Sequence, residues 1–148
     1  MQTGEALLNK STFGAQQLAT DWVDVSEAGD AAPAAGRPPR FGFDALRIPL
    51  YLAWADRRAA LAPFQAFWRP YLEARKPPPA WLDVATGEAA PYALSAGGLS
   101  VANWICGAGA TPGEATGDYY SDVLAALVWL ARSDNKALAW STMRSGAA

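Results

Sequence analysis

The strongest constraint on how this chain folds is a helical apolar period punctuated by proline. Leu46, Leu50, Ala53 and Trp54 recur at i, i+4, i+7 and i+8, which puts them on one face of a helix. Pro49 stands inside that pattern. A proline is tolerated only in a first turn, where its missing N–H has no partner to lose. The spacing therefore predicts a helix that starts near 46–49 and runs to about Arg58, with Asp44 just ahead of it. A second stripe, Leu61, Phe64, Phe67, Trp68, Tyr71 and Leu72, predicts a helix from about Ala59 to Arg75. Pro63 and Pro70 are expected to break or kink it, and Lys76 to Pro79 ends it. A third helix, rich in small residues, is expected from Ser95 to Cys106. A fourth runs from Asp118 to Arg132, with Tyr119, Val123, Leu127 and Leu130 in register.

Between these stretches the signals are weaker. Residues 1–10 read as the end of a helix, and residues 26–40, rich in Ala, Gly and Pro, as an exposed loop. Trp81 to Glu88 reads as a short strand and a tight turn, with Gly87 where positive φ is wanted. The tail to Ala148 carries little pattern, and no repeat is found. The expected class is all-α, helical hairpins with one small β-turn unit.

Composition removes whole classes of chemistry. The chain has 148 residues, a length that suggests one domain, and 51% of them are hydrophobic. It has no histidine, which excludes Ser-His-Asp and Cys-His catalysis and takes away the commonest metal ligand. Cys106 is the only cysteine, so no intrachain disulfide and no thiolate-rich zinc site can form. No metal or cofactor is implied. The net charge is −2 without a long basic run, which gives no footprint for nucleic acid. The longest apolar stretch, Val123 to Ala131, falls short of the ~20 residues that span a bilayer. The first residues lack a basic segment followed by an apolar one, so no signal peptide is read there.

Chemistry must then run on carboxylates, tyrosines, lysines or the lone thiol, and Phe41-Gly42-Phe43-Asp44-Ala45-Leu46-Arg47-Ile48-Pro49 is the most informative stretch. One reading of Asp44 is structural. A carboxylate near a helix N-terminus is favoured by about 0.3–1 kcal/mol, and Arg47 can pair with it. The other is catalytic. Inverting glycoside hydrolysis needs two carboxyl groups roughly 6.5–9.5 Å apart, the ionised one activating a water held between it and the sugar. Both Arg47 and the helix terminus favour the ionised form. The neighbouring aromatics offer a flat surface for a sugar ring.

Phe43-Asp44-Ala45-Leu46-Arg47-Ile48-Pro49 resembles the (Tyr/Phe)-Asp-Ala-x-Arg-x-Pro segment of glycoside hydrolase family 8. Asp21-Trp22-Val23 is similar to a short segment upstream of it in the cellulases encoded with bacterial cellulose synthases. Leu82-Asp83-Val84-Ala85-Thr86-Gly87 resembles the family's downstream Val-Asp-Val-Ala-Thr-Gly turn, and Leu94-Ser95-Ala96 a further Phe-Ser-Ala segment. The resemblance implies part of an (α/α)6 toroid of six helical hairpins, with residues 1–148 as the C-terminal portion of the catalytic domain. It implies an inverting endo-β-1,4-glucanase acting on cellulose, with relatives that take xylan or chitosan, in the periplasm or secreted. Asp44 takes the place of the general base, and Arg47 helps hold it. Phe43 stands where many relatives carry a tyrosine, so a hydroxyl contact to water or sugar is absent.

The family's general acid lies upstream in a segment resembling Ser-Glu-Gly-x-x-Tyr-Gly. Here Glu5, Glu27, Glu73, Glu88 and Glu114 are each followed by alanine, and none matches. The expectation is a chain that begins in the second half of the toroid, supplies the base, lacks the acid, and exposes apolar faces that the other half would meet. Trp22, Trp81 and Tyr92 can stack on glucose rings, with Trp22 and Tyr92 the candidates for binding beside Phe43 and Arg47. Trp54, Trp68, Trp104 and Trp129 lie in helical patterns and are expected in the core. Asp83 reads as a turn carboxylate and Cys106 as buried filler; Tyr119-Tyr120 can reach the cleft, but helix-start packing is the favoured reading. Two classes of function stay open. One is the catalytic part of a cellulase, partnered by β-1,4-glucan and by the N-terminal half. The other is a non-catalytic helical module for carbohydrate binding or interaction.

Overall fold

The computed structural model describes residues 2–108 and 115–145, with side chains described for residue 4 and for residues 6–108 and 115–135. Five α-helices carry the described part: α1 (Gln2–Lys10), α2 (Arg47–Trp54), α3 (Ala62–Glu73), α4 (Ala96–Ile105) and α5 (Tyr119–Ser145). A 3-10 turn, Arg58–Leu61, joins α2 to α3. Four short strands pair in two antiparallel ribbons, β1 (Val23–Val25) with β2 (Ala31–Pro33), and β3 (Arg40–Phe41) with β4 (Leu82–Asp83).

The α2 start agrees with the proline argument, since Pro49 falls in its first turn. Pro63 is at the head of α3 rather than at a break, because there too its missing N–H costs nothing. Pro70 lies inside α3, which continues to Glu73. Ser95 caps α4 by accepting from the Gly98 N–H at 3.2 Å, and Asp118 caps α5 by accepting from the Ser121 N–H at 2.7 Å.

Three expectations are corrected. Residues 26–40 are not a featureless loop. Val23 pairs with Pro33 and Val25 with Ala31 around a turn closed by Ser26, Gly29 and Asp30, where Gly29 has φ of 80°. The alanines of β2 carry no strand propensity, so pairing with the two valines decides the conformation. On α5 the buried face is Ser121, Leu124, Val128 and Ala131, one step round from the expected register. Tyr119, Val123, Trp129 and Leu130 are exposed instead, and Trp129 is therefore not a core residue. The helix also runs on to Ser145 through the stretch read as patternless.

Direction is fixed by contacts at both ends. Tyr120, at the start of α5, donates its hydroxyl proton to the Phe43 carbonyl just ahead of α2. At the far end the Trp54 indole N–H reaches Asp134 at 3.0 Å, and the Asn135 amide reaches the Ala53 carbonyl at 3.3 Å. α2 and α5 thus run the same way. α4 starts beside α5 as well, with the Gly97 N–H on the Ser121 hydroxyl oxygen at 2.8 Å. α3 runs back, its Gln65 amide holding the Ile105 carbonyl at the end of α4.

The core fills the space these helices enclose. Trp68, Phe64, Leu50, Leu18, Val101 and Leu124 are essentially inaccessible. Phe41 ties β3 into it, with ring centroids 5.6 Å from Phe64, 5.8 Å from Phe67 and 5.7 Å from Trp68. Trp54, Trp104 and Cys106 are only partly buried at its margin. The consequence for the site is directional: the N-termini of α2, α4 and α5 gather at one end, and Asp44 stands there.

Candidate active site

The segment between Phe41 and Arg47 is a tight turn. The Leu46 N–H bonds the Gly42 carbonyl at 2.9 Å, and the Arg47 N–H bonds the Asp44 carbonyl at 3.2 Å. Nothing from the side chain of Leu46, the capping position of α2, reaches the helix N–H groups. The turn ahead of the helix finds its acceptor in Asp21. A single oxygen of its carboxylate, Oδ1, accepts from the N–H of Gly42 at 3.2 Å, Asp44 at 2.9 Å and Ala45 at 2.8 Å. That carboxylate comes from 23 residues upstream of Asp44. The Asp44 side chain is therefore left free of capping duty and points elsewhere.

Asp44 is open to solvent, with its side chain 48% exposed, and Arg47 one turn on donates to its Oδ1. Phe43 is half exposed, and its ring stands edge-on to Tyr120 with centroids 5.8 Å apart. Burial pushes the Tyr120 hydroxyl up to about 12; Arg47 opposes that, and Asp44 and Asp21 add to it. Tyr120 thus stays a neutral donor. Burial is also the main cause that raises Asp21, with the charge of Asp44 adding to it, against the lowering effect of the three N–H groups.

Gly42 lets these groups close up. A Cβ there would lie 2.7 Å from Asp21 Oδ2 and 3.3 Å from Trp81 Cβ. Trp81 is buried beneath Arg40, whose guanidinium sits 3.6 Å from the ring centroid, so it offers no face to a sugar. Its indole N–H donates to the Tyr92 hydroxyl at 3.1 Å. Tyr92 and Trp22 are each about half exposed, and Arg37 lies over the Trp22 ring at 4.8 Å. Asp83 serves the turn, as its sequence suggested: its Oδ1 accepts from the N–H of Ala85 and Thr86, which lowers its carboxyl below the ordinary value.

Asp44, Arg47 and Phe43 are thus brought together with Asp21 and Tyr120. Trp22 is joined to the cluster through the adjacent Asp21, and Tyr92 through Trp81 and Gly42. Sequence reasoning assigned no role to Asp21, although the Asp-Trp-Val segment that contains it stood out, and for Tyr120 it favoured helix-start packing over a reach into the cleft. Among the described residues no group of three or more metal-ligating side chains gathers, and no helix is long and apolar enough to cross a membrane. A hollow of about 500 Å³, lined almost wholly by apolar residues such as Leu7, Val23, Ile48 and Tyr51, lies along α1 and α2 and does not include Asp44.

Comparison with known proteins bears on the whole arrangement. The model for glycosyl hydrolases family 8 matches residues 1–134. An endoglucanase of Cellulomonas uda is 42% identical over 105 residues, 70% of this chain and 29% of that protein. A probable endoglucanase of Novacetimonas hansenii is 39% identical over 140 residues, 90% of this chain and 40% of its own. Among solved structures, endoglucanase Cel10 of Klebsiella pneumoniae, a family 8 glycosyl hydrolase, is 42% identical with a TM-score of 0.84 over 91% of this chain and 44% of that one. The chain spans less than half the length of each. The gathered helices are part of the (α/α)6 toroid of those enzymes. Parallel helix N-termini, a half-open aspartate among them and a matched length of 134 residues lead to one conclusion: this chain belongs to glycosyl hydrolase family 8.

Proposed function

We propose that this chain supplies the general base of an inverting endo-β-1,4-glucanase, residues 1–148 forming the C-terminal portion of the catalytic domain. The observation that carries the reading is Asp44, an exposed carboxylate beside Arg47 on a turn in which Asp21 holds the N–H groups of Gly42, Asp44 and Ala45. A base must be reachable by water and fixed in position, and these contacts favour both requirements. Asp44 takes a proton from the water that attacks the anomeric carbon, while a carboxylic acid across the bond protonates the departing oxygen. That acid is not among the five glutamates in the family's motif context, so the donor comes from a segment outside this sequence. The hollow along α1 and α2 and the exposed apolar face of α5 fit docking of that N-terminal half. Phe43, Trp22 and Tyr92 supply stacking surfaces for glucose rings, and Arg47 orients the base. The substrate is a polymer found outside the cell, so a periplasmic or secreted setting belongs to this reading.

The test is hydrolysis of carboxymethylcellulose by the purified chain, alone and with the N-terminal half of a family 8 endoglucanase supplied as a separate chain. Alone, turnover falls about 10²–10⁴-fold below the mixture, the usual worth of an acid or base. In the mixture Asp44→Asn removes turnover, and NMR shows the α-anomer of the product first. Full turnover by the chain alone, unaffected by Asp44→Asn, defeats the proposal. Retention on cellulose with no turnover in the mixture favours the non-catalytic module.

A further inference from the structure

We infer that Asp21 and Tyr120 are positioning residues for the base, holding the backbone that carries Asp44 from its donor and acceptor sides. The inference rests on the reading of Asp44 as the base and concerns groups that touch neither water nor sugar in that reading. Asp21 Oδ1 takes three N–H groups, those of Gly42, Asp44 and Ala45, at 3.2, 2.9 and 2.8 Å. Tyr120 donates its hydroxyl to the Phe43 carbonyl and sets its ring against Phe43. Each comes from a different element. Asp21 lies just ahead of β1 and is tied to β3 by its own N–H on the Arg40 carbonyl at 2.8 Å. Tyr120 is in the first turn of α5. The turn at 42–45 is thus fastened to two parts of the fold at once.

Packing supports a dedicated role for Asp21. It is a half-buried carboxylate, and burial disfavours its charge. A structural cap could use serine or asparagine at lower cost in desolvation. What an ionised carboxylate adds is an acceptor able to hold three donors on one oxygen, in charge-assisted bonds that are stronger than neutral ones. It also holds the turn without using Asp44 as the cap, so the catalytic carboxylate is not diverted to the helix N-terminus. Gly42 belongs to the same device, since a Cβ at 2.7 Å from Asp21 Oδ2 would push the clamp away.

The experiment compares wild type, Asp21→Asn, Asp21→Ala and Tyr120→Phe on the full chain. Amide hydrogen exchange is read by NMR, and turnover is read in the mixture with the N-terminal half. In Asp21→Ala, exchange at Gly42, Asp44 and Ala45 is expected to speed up at least ~10-fold, since the charge-assisted bonds that close the turn are lost. Exchange at Phe67 and Trp68 in α3 stays unchanged. Turnover is expected to fall about 10–100-fold in kcat, with KM within about twofold, as for a residue that acts only on the base. Asp21→Asn keeps an acceptor and recovers part of the loss. Tyr120→Phe keeps the ring and loses the hydroxyl, and it is expected to lower kcat by a smaller factor.

Unchanged exchange at the three amides in Asp21→Ala overturns the inference. So does a kcat loss that follows the change in Tm and disappears at a lower assay temperature, because a purely structural cap behaves that way. The two readings fail separately. Asp44→Asn with full turnover defeats the base assignment, whereas a dead Asp44→Asn beside a fully active Asp21→Ala defeats the clamp alone.

Discussion

The two ends of α2 are built on opposite principles. At its start, the turn from Gly42 to Ala45 has its polar backbone groups matched within the chain, by Asp21, Tyr120 and the turn itself. Along its flank, Ile48, Tyr51 and Leu52 line a hollow shared with Leu7, Leu8 and Val23, where apolar surface meets solvent. Leu7, Val25 and Tyr51 are each about half exposed there, and Tyr119, Trp129 and Leu130 add an exposed face on α5. Contiguous apolar surface of that kind is uncommon on a monomer and marks a contact surface. The chain thus completes the wiring of the turn that carries Asp44 by itself, while its flank is finished as if for contact. Chemistry needs geometry fixed to fractions of an ångström, and hydrogen bonds supply that. Apolar contact tolerates looser fit.

The largest expected effect comes from breaking the wired end at its root. Gly97 lies against the first turn of α5, where an added Cβ would come 1.9 Å from the Ser121 carbonyl oxygen. Backbone cannot yield as a side chain tip can, so α4 and α5 must separate. Gly97→Ala is expected to cost about 3 kcal/mol, at the upper end of overpacking penalties. Thermal unfolding followed by circular dichroism checks this. A cost under about 1 kcal/mol would mean that α4 and α5 slide apart freely, and that the gathering of helix N-termini is not rigid.

That close approach illustrates what the sequence could and could not tell. The helices of the core were legible because Leu50, Phe64 and Trp68 recur at helical spacing and Pro49 allows one start. The face of α5 was misjudged for a physical reason. Its buried row contains the small residues Ser121, which lies against Gly97 of α4, and Ala131, while the larger Tyr119 and Leu130 look outward. A hydrophobicity count favours the larger residues. The hairpin of β1 and β2 was hidden because alanine and proline say nothing about strands until valines pair with them. At the site, Asp44 and Arg47 were legible from spacing and resemblance. Asp21 was not, since its three donors lie more than 20 residues away and only folding brings them in.

A smaller effect sharpens the comparison through pH. Asp21 is raised from its ordinary value chiefly by burial. A carboxyl with a folded pKa above its unfolded one favours the protonated form in the fold. Its contribution to stability is fully present below the unfolded pKa and is lost as pH rises through the folded one. Asp21→Asn carries no charge and avoids that loss. The Tm of Asp21→Asn relative to wild type is therefore expected to be lowest in acid and to rise toward neutral pH. The opposite slope would mean that the three N–H groups outweigh burial at Asp21. Asp83 and Asp122 are lowered by turn N–H groups and titrate the other way, but they are common to both proteins and cancel in the difference.

The smallest effect on stability is expected at the flank, and its smallness is the informative part. Leu7 and Tyr51 are 44% and 51% exposed, so replacing both with serine removes little surface that folding buries. The cost to the isolated chain is expected to stay within about 0.5 kcal/mol per site, the range for surface positions. If this flank is a contact surface, the same double variant, Leu7→Ser with Tyr51→Ser, weakens association with the N-terminal half at least ~10-fold, as read by titration of restored turnover. Asp21→Ala makes the opposite pattern: association intact, turnover lowered about 10–100-fold. A double flank variant that destabilises the chain by several kcal/mol would show that the hollow is closed by this chain's own packing. The contrast between a self-wired site and an open flank would then disappear.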